Sequence, residues 1–170
     1  MILGMSGANF TMVHVILSLI GMVSGLIVLF GMVAGKRLGA WTAIFFATTI
    51  LTSATGFPIP PLGFDPPRVI GILSLVLLAL AALGFYVFRL AGAWRKIYVV
   101  TMVTALYLNC FVGVVQAFQK VPFLHPLAPT QSAPAFVIAQ LAVLVLFILL
   151  GFLAAGRFHP KRGSVGYSLP

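Results

Sequence analysis

The chain has 170 residues, of which 62% are hydrophobic and only 6% are charged. Globular domains carry roughly a quarter of charged residues, so this composition excludes a soluble domain. The formal net charge of +9 comes from ten Lys and Arg residues against one acidic residue. No basic stripe with interleaved aromatic residues accompanies this charge, so we do not expect nucleic-acid binding. The lipid bilayer is the expected partner of such a surface.

Five long apolar runs follow one another along the chain, and each has about the 20 residues that a membrane-spanning helix needs. Ten-residue segments of alternating hydrophobicity, which are typical of membrane β-barrels, are absent from the sequence. The pattern therefore predicts an all-α integral membrane protein, a bundle of five transmembrane helices within residues 1–156. The predicted spans are Phe10 to Ala34, Leu38 to Phe57, Val69 to Leu90, Ile97 to Phe118 and Pro134 to Gly156.

The basic residues predict the orientation of the bundle. Eight of them follow the first, third and fifth spans, whereas only Arg68 and Lys120 follow the second and fourth. By the positive-inside rule, the N-terminus lies outside and residues 157–170 form a short basic cytoplasmic tail. Asp65, the only acidic residue, precedes two prolines and is the predicted N-cap of the third helix.

Uncharged polar side chains gather in the predicted outer half of the helices. On the fourth helix, Asn109, Gly113, Gln116 and Lys120 recur at spacings of four, three and four residues, which places them on one helical face. Other spans and the loop after the fourth helix add further polar groups at the same depth. This clustering predicts an outward-facing polar pocket or a polar seam between helices. The candidate ligand-binding residues are His14, Thr52, Asn109, Gln116, Lys120, His125 and Gln140.

Small residues on the first helix indicate close helix packing. His14, Ser18, Gly21 and Gly25 form a narrow face of small and polar side chains, and glycines recur four residues apart at Gly21 and Gly25 and again at Gly31 and Gly35. Such small-xxx-small arrangements let two backbones approach closely in a membrane. The partner helix is predicted to lie either in the same chain or in a homo-oligomer or larger membrane complex.

Several common catalytic motifs are missing from the sequence. It contains no paired carboxylates, no HExxH or CxxC, no phosphate-binding glycine loop and no nucleophile elbow, so no enzyme class is favoured. The leading hypothesis is therefore non-enzymatic: a small membrane subunit or binding module whose pocket takes a lipid-soluble, quinone-like ligand or a partner helix. The sequence establishes no cofactor.

Two alternatives remain open. The first is a membrane redox protein that holds haem b or a metal through His14 and His125, since histidine is a common ligand of both. The second is a facilitator for a neutral or anionic solute, because the polar cluster contains no acidic residue.

Three segments carry a resemblance. They are WTAIFFATTILTSATGFPIP at 41–60, RLAGAWRKIYVV at 89–100 and ALYLNCFVGVVQAFQKVPFLHPLAPTQ at 105–131. With them the chain resembles an uncharacterised group of small bacterial multi-spanning membrane proteins. The resemblance implies a location in the bacterial inner (cytoplasmic) membrane, and it brings no activity, cofactor or site residue.

Overall fold

The computed structural model describes residues 4–59 and 66–159, and within these ranges it contains five α-helices and no strand. A five-residue π-helical turn, Leu83–Val87, follows α3, and a 3-10 turn, His125–Leu127, precedes α5. The predicted helices are all present, and most of their bounds differ from the prediction by four residues or fewer. The helices are α1 Gly7–Val33, α2 Gly39–Gly56, α3 Pro66–Ala82, α4 Ala93–Lys120 and α5 Pro134–Arg157.

Four of these helical segments are long and apolar enough to cross a membrane: α1, α3 with its π-helical turn, α4 and α5. The exception, α2, has 18 residues, and one third of them are threonine or serine, which lowers its hydropathy. Large apolar side chains cover the outside of the bundle; Ile138, Leu141 and Phe152, for example, are 67%, 54% and 75% exposed. Apolar exposure on this scale is expected where lipid replaces water as the solvent.

Consecutive helices run antiparallel. The helices α1, α3 and α5 begin at one end of the bundle, where α2 and α4 end, and we call this the N-terminal end. Helix α1 packs along α2 and also contacts α4 and α5, while α3 packs against α2 and α4. The first four helices therefore surround a common centre, and α5 lies beside α1 and α4.

The half of the bundle away from the N-terminal end is tightly packed. Phe45, Leu78, Met102 and Leu106 are all fully buried there. A Cβ atom on Gly25 would lie 2.5 Å from a methyl carbon of Leu106 and 2.8 Å from the ring of Phe45. Only glycine allows α1 to approach α2 and α4 this closely, and the contact fixes the three helices together.

The predicted small-residue face of α1 makes its contacts within this chain. A Cβ atom on Gly21 would meet Thr49 of α2 at 2.9 Å, and one on Gly31 would meet the side chain of Leu38 at 2.6 Å. Gly35 ends α1 with a φ of +71° and a Schellman motif, in which its N–H donates to Met32 O and the next N–H donates to Gly31 O. The oligomeric interface that these glycines also suggested stays a prediction.

The end of the third span differs from its prediction. The apolar run predicted a helix to Leu90, whereas the α-helix ends at Ala82 and the π-helical turn ends at Val87. Arg89 and Leu90 then have φ values of 48° and 61°, in the left-handed region, which an α-helix excludes. Two contacts hold this turn: Leu90 N donates to Gly84 O at 2.8 Å, and Phe88 stacks on Trp94 with ring centroids 3.9 Å apart. Hydropathy does not detect such a turn.

Several predicted features fall outside the described residues. These are Asp65 with its predicted N-cap and, in the tail predicted from 157, residues 160–170. Of that tail, Arg157 is the last residue of α5. The guanidinium of Arg95 on α4 donates from Nη1 to Ala155 O at 3.1 Å and to Phe158 O at 2.7 Å. It thus satisfies carbonyl groups that the end of a helix leaves without intrahelical partners.

Candidate ligand cavity

A cavity of about 590 Å³ lies among the first four helices at the N-terminal end of the bundle. Its wall on α1 extends from Thr11 to Met22 and its wall on α4 from Leu108 to Lys120. At a rise of 1.5 Å per residue, these walls are about 16 to 18 Å long. The cavity ends above the packed layer that Gly25 makes with its neighbours. Its volume lies in the range of small-molecule pockets, roughly 300 to 1,000 Å³.

The middle of the cavity contains a polar link between α1 and α4. Ser18 Oγ donates to Asn109 Oδ1 at 2.8 Å, and Asn109 Nδ2 donates to Ser18 O at 3.3 Å. Asn109 is only 8% exposed, and its amide lies against Gly21. Both residues line the cavity, but their side chains already bond to each other. Asn109 therefore connects two helices as well as contributing to the wall.

His14 faces the cavity and bonds to α2 through one ring nitrogen. Its Nδ1 lies 2.9 Å from Thr55 Oγ1, and the donor of this bond depends on the tautomer of the ring. Thr55 Oγ1 lies closer to Leu51 O, at 2.7 Å, so we expect the hydroxyl to donate to that carbonyl and Nδ1 to carry the hydrogen of a neutral ring. Nε2 has no hydrogen-bond partner among the described residues, so it can form a hydrogen bond with a ligand.

The threonines of α2 divide into two groups. Thr48 and Thr55 each donate to the carbonyl four residues earlier, the usual way in which a hydroxyl is satisfied inside a helix. In contrast, the buried hydroxyls of Thr49 and Thr52 have no hydrogen-bond partner among the described residues. Both residues line the cavity wall. The two oxygens themselves are enclosed by protein, and buried hydroxyls without partners are costly.

Two basic side chains lie at the mouth of the cavity, Lys120 in the last turn of α4 and Arg68 in the first turns of α3. Arg68 Nη2 donates to Phe57 O at 3.1 Å and to Ile59 O at 2.8 Å, so it also fixes the backbone that follows α2. Gln116 and Lys120 are exposed on the same face of α4. The mouth therefore presents positive charge and an amide group.

Apolar residues line the rest of the cavity. Met22, Leu108 and Val112 contribute from α1 and α4. Val15 and Leu19 also line it, and they are 42% and 54% exposed. Because these two residues belong both to the cavity wall and to the outer surface of α1, the cavity borders on the apolar outside of the bundle. It is amphipathic, with polar groups on one side and at the mouth and apolar groups elsewhere.

The structure brings five of the seven predicted residues to this cavity: His14, Thr52, Asn109, Gln116 and Lys120. His125 lies instead beside a separate cavity of about 40 Å³, next to Phe118 and Phe136. Gln140 is buried between α4 and α5, where its Nε2 donates to Phe111 O at 3.1 Å. His14 and His125 thus line different cavities. Within the described ranges, no three His, Cys, Asp or Glu residues lie close enough together to hold a metal ion.

Seven further polar residues line the cavity and were not among the predicted site residues: Thr11, Ser18, Thr49, Ser53, Arg68, Ser74 and Gln119. Ser53 and Thr49 belong to the hydroxyl-rich second span, where helical spacing from Thr52 does not identify the inward face. Arg68 entered only as a charge for orientation. The sequence was sufficient to predict that Arg68 and Lys120 share one end of the bundle. Arg68 lies near the start of the third helix and Lys120 at the end of the fourth, and consecutive spans run in opposite directions.

A comparison of the chain with models of known protein families, with curated proteins and with solved structures finds no match.

Proposed function

We propose that this protein is a non-enzymatic multi-pass membrane protein, a small subunit or binding module whose cavity binds a lipid-soluble ligand such as a quinone. The observation that carries the proposal is the amphipathic cavity of about 590 Å³ among the first four helices. In this proposal all five helices span a bacterial inner membrane, with the N-terminus outside. The cavity then opens toward the outer face.

The depth of the cavity favours a small ligand over a partner helix. A helix that crosses the hydrocarbon core needs a groove of about 30 Å. The cavity walls extend over only about 16 to 18 Å, and the packed layer around Gly25 closes its inner side. A continuous spanning helix therefore does not fit in it, whereas the head and first part of a lipid-soluble molecule do.

The polar groups suit a ligand that carries oxygen atoms. The amide of Gln116 and the ammonium of Lys120 donate hydrogen bonds to carbonyl oxygens such as those of a quinone. In the expected tautomer, which carries its hydrogen on Nδ1, His14 Nε2 accepts from a hydroxyl, such as that of the reduced quinol. Because donors and an acceptor line one cavity, both redox forms of such a ligand find partners there.

The two alternative functions receive no supporting observation. A haem held by His14 and His125 requires both rings to approach one iron, and the two residues line separate cavities. A facilitator requires a continuous path, and the packed layer around Gly25 closes the cavity. An absorption spectrum tests the first alternative, and solute flux into liposomes tests the second.

The experiment that tests the proposal fills the cavity. A Cβ atom on Gly71 of α3 would meet only Phe57 at 3.7 Å and Ser53 at 3.8 Å, so a larger side chain can enter from this position without a clash at its base. We expect Gly71→Phe to abolish the binding of a short-chain quinone to the protein in nanodiscs. Gly156→Phe is the control, because a Cβ atom there meets nothing within 4 Å.

Saturable quinone binding that Gly71→Phe removes and Gly156→Phe retains supports the proposal. Binding that survives Gly71→Phe in a folded protein places the ligand elsewhere and contradicts it. Thermal unfolding of each variant confirms that the comparison is between folded proteins.

A further inference from the structure

Few basic residues lie at the N-terminal end of the bundle, and those in the described ranges lie at the mouth of the cavity. Among the described residues, six basic side chains belong to the turns and helix ends at the opposite end, namely Lys36, Arg37, Arg89, Arg95, Lys96 and Arg157. Only Arg68 and Lys120 lie at the N-terminal end within the described ranges, and both line the mouth of the cavity. In the proposed topology this is the outer side of the bundle. Its two basic side chains among the described residues therefore meet at one place, the cavity mouth.

The cavity lining combines basic, neutral polar and apolar groups. Lys120 and Arg68 lie at the mouth, Gln116 comes next on α4, and the deep end contains the apolar Met22 and Leu108 beside the amide of Asn109, which is already bonded to Ser18. In the proposed orientation, the basic groups lie at the head-group level of the bilayer. A molecule that matches this lining is itself amphipathic.

On these grounds, and building on the proposed function, we infer that the ligand is an amphiphile with an anionic head group, a phosphate or a carboxylate, bound by Lys120 at the mouth. The Lys120 ammonium supplies hydrogen-bond donors and a full positive charge to the anionic oxygens. Arg68 contributes by position, because its Nη2 donates to Phe57 O and Ile59 O and so fixes the backbone beside the mouth. The apolar chain of the ligand extends along Leu108 and Val112 toward the packed layer.

A small water-soluble anion matches the mouth but leaves the remainder of the cavity unmatched. Val15 and Leu19 form part of the wall and are also exposed on the outside of α1, which gives an apolar chain a route from the bilayer. Inorganic phosphate uses neither this route nor the apolar depth. We therefore assign the site to an amphiphile that enters from the membrane.

The test measures binding of four probes to the detergent-solubilised protein by native mass spectrometry. Dodecyl phosphate carries both the anionic head and the chain, dodecanol only the chain, inorganic phosphate only the anion, and dodecyltrimethylammonium the opposite charge. We expect dodecyl phosphate to bind at least about tenfold more tightly than dodecanol, the size of one charge-assisted hydrogen bond. Lys120→Gln should weaken its binding by about the same factor.

Lys96→Gln is the matched control, because Lys96 is an exposed lysine at the other end of the same helix. It should leave the affinity for dodecyl phosphate unchanged. Equal losses in Lys120→Gln and Lys96→Gln would show an effect of net charge and would overturn the inference. Equally tight binding of inorganic phosphate would overturn it in favour of a soluble anion.

The results also separate this inference from the proposed function. If dodecanol binds as tightly as dodecyl phosphate and Lys120→Gln changes neither, the cavity still takes a lipid-soluble ligand but the anionic head group is wrong. Preferential binding of dodecyltrimethylammonium would likewise show that the cavity takes an amphiphile but that its head group is not anionic. If no amphiphile and no short-chain quinone binds to the folded protein, the proposed function itself fails.

Discussion

Replacing Asn109 by Leu separates the structural part of the cavity wall from its binding part. The substitution removes the acceptor of the Ser18 hydroxyl and the donor to Ser18 O. Leu has the same number and branching of side-chain heavy atoms as Asn, although its methyl groups take more space, and it occupies the position against Gly21 where the Asn109 amide now lies. The change therefore removes the polar contacts between α1 and α4 and replaces them with an apolar contact.

The expected loss follows from the number of hydrogen bonds. Interhelical hydrogen bonds in membrane proteins contribute about 0.6 kcal/mol on average and up to about 1.7 kcal/mol. Two such bonds give a predicted decrease of about 1 to 2 kcal/mol in the free energy of unfolding for Asn109→Leu. Ser18→Ala removes only the bond to Asn109 Oδ1, so the two variants together isolate that contact. We expect a coupling energy of about 0.6 to 1.7 kcal/mol between them.

The assay is reversible unfolding in mixed micelles for the wild type, both single variants and the double variant. Gln116→Leu serves as the matched control, because it is the same substitution two turns along α4 at a residue that is exposed at the cavity mouth. It should leave stability unchanged within about 0.5 kcal/mol and weaken ligand binding. A coupling energy below about 0.3 kcal/mol, or a larger loss of stability in Gln116→Leu than in Asn109→Leu, would refute this reasoning.

Three further predictions follow from individual contacts. Gly25→Ala should lower the free energy of unfolding by about 1 to 3 kcal/mol, because its Cβ would overlap Leu106 and Phe45. Gly156→Ala, where a Cβ meets nothing, should be neutral or stabilising. Equal effects of the two substitutions in chemical unfolding would contradict the close packing at Gly25. Arg95→Gln should lose about 1 to 2 kcal/mol of stability and speed amide exchange at the end of α5, and unchanged exchange there would count against the carbonyl contacts. Nitrogen NMR of labelled His14 should show the tautomer protonated at Nδ1. Thr55→Val removes the hydroxyl that bonds to Nδ1 and should give a mixture of the two tautomers. A wild-type ring protonated mainly at Nε2 would refute the expected tautomer.

The helices were predictable because lipid imposes one strong rule on the sequence. Apolar runs of spanning length located all five helices, and α5 begins at Pro134 as expected. The end of the third span was not predictable in this way. Its left-handed residues, Arg89 and Leu90, depend on contacts with Gly84 and on the stacking of Phe88 on Trp94, which no local hydropathy pattern contains.

The candidate site was predictable in its depth but not in its full composition. Helical spacing placed Asn109, Gln116 and Lys120 on one face of α4, and all three line the cavity. The same depth argument selected Gln140, which faces the interface between α4 and α5 because it bonds to Phe111 O. Depth along a helix is readable from the sequence, whereas the direction in which each helix turns its face is set by packing with its neighbours.

The distinction between interhelical contact and binding group also required the structure. Asn109 and Gln116 are similar amides seven residues apart, and the sequence gives both the same role. In the fold, Asn109 is 8% exposed and bonded to Ser18, whereas Gln116 is exposed at the mouth. Their surroundings, and not their chemistry, separate the two residues.

The most direct test of the central claim is native mass spectrometry of the protein released gently from its own membranes, compared between the wild type and Gly71→Phe. The account predicts that a non-covalent lipid-soluble molecule accompanies the wild-type protein and is absent from the folded Gly71→Phe variant. An identical set of bound molecules on both proteins, or none on either, would contradict a ligand-binding cavity among the first four helices.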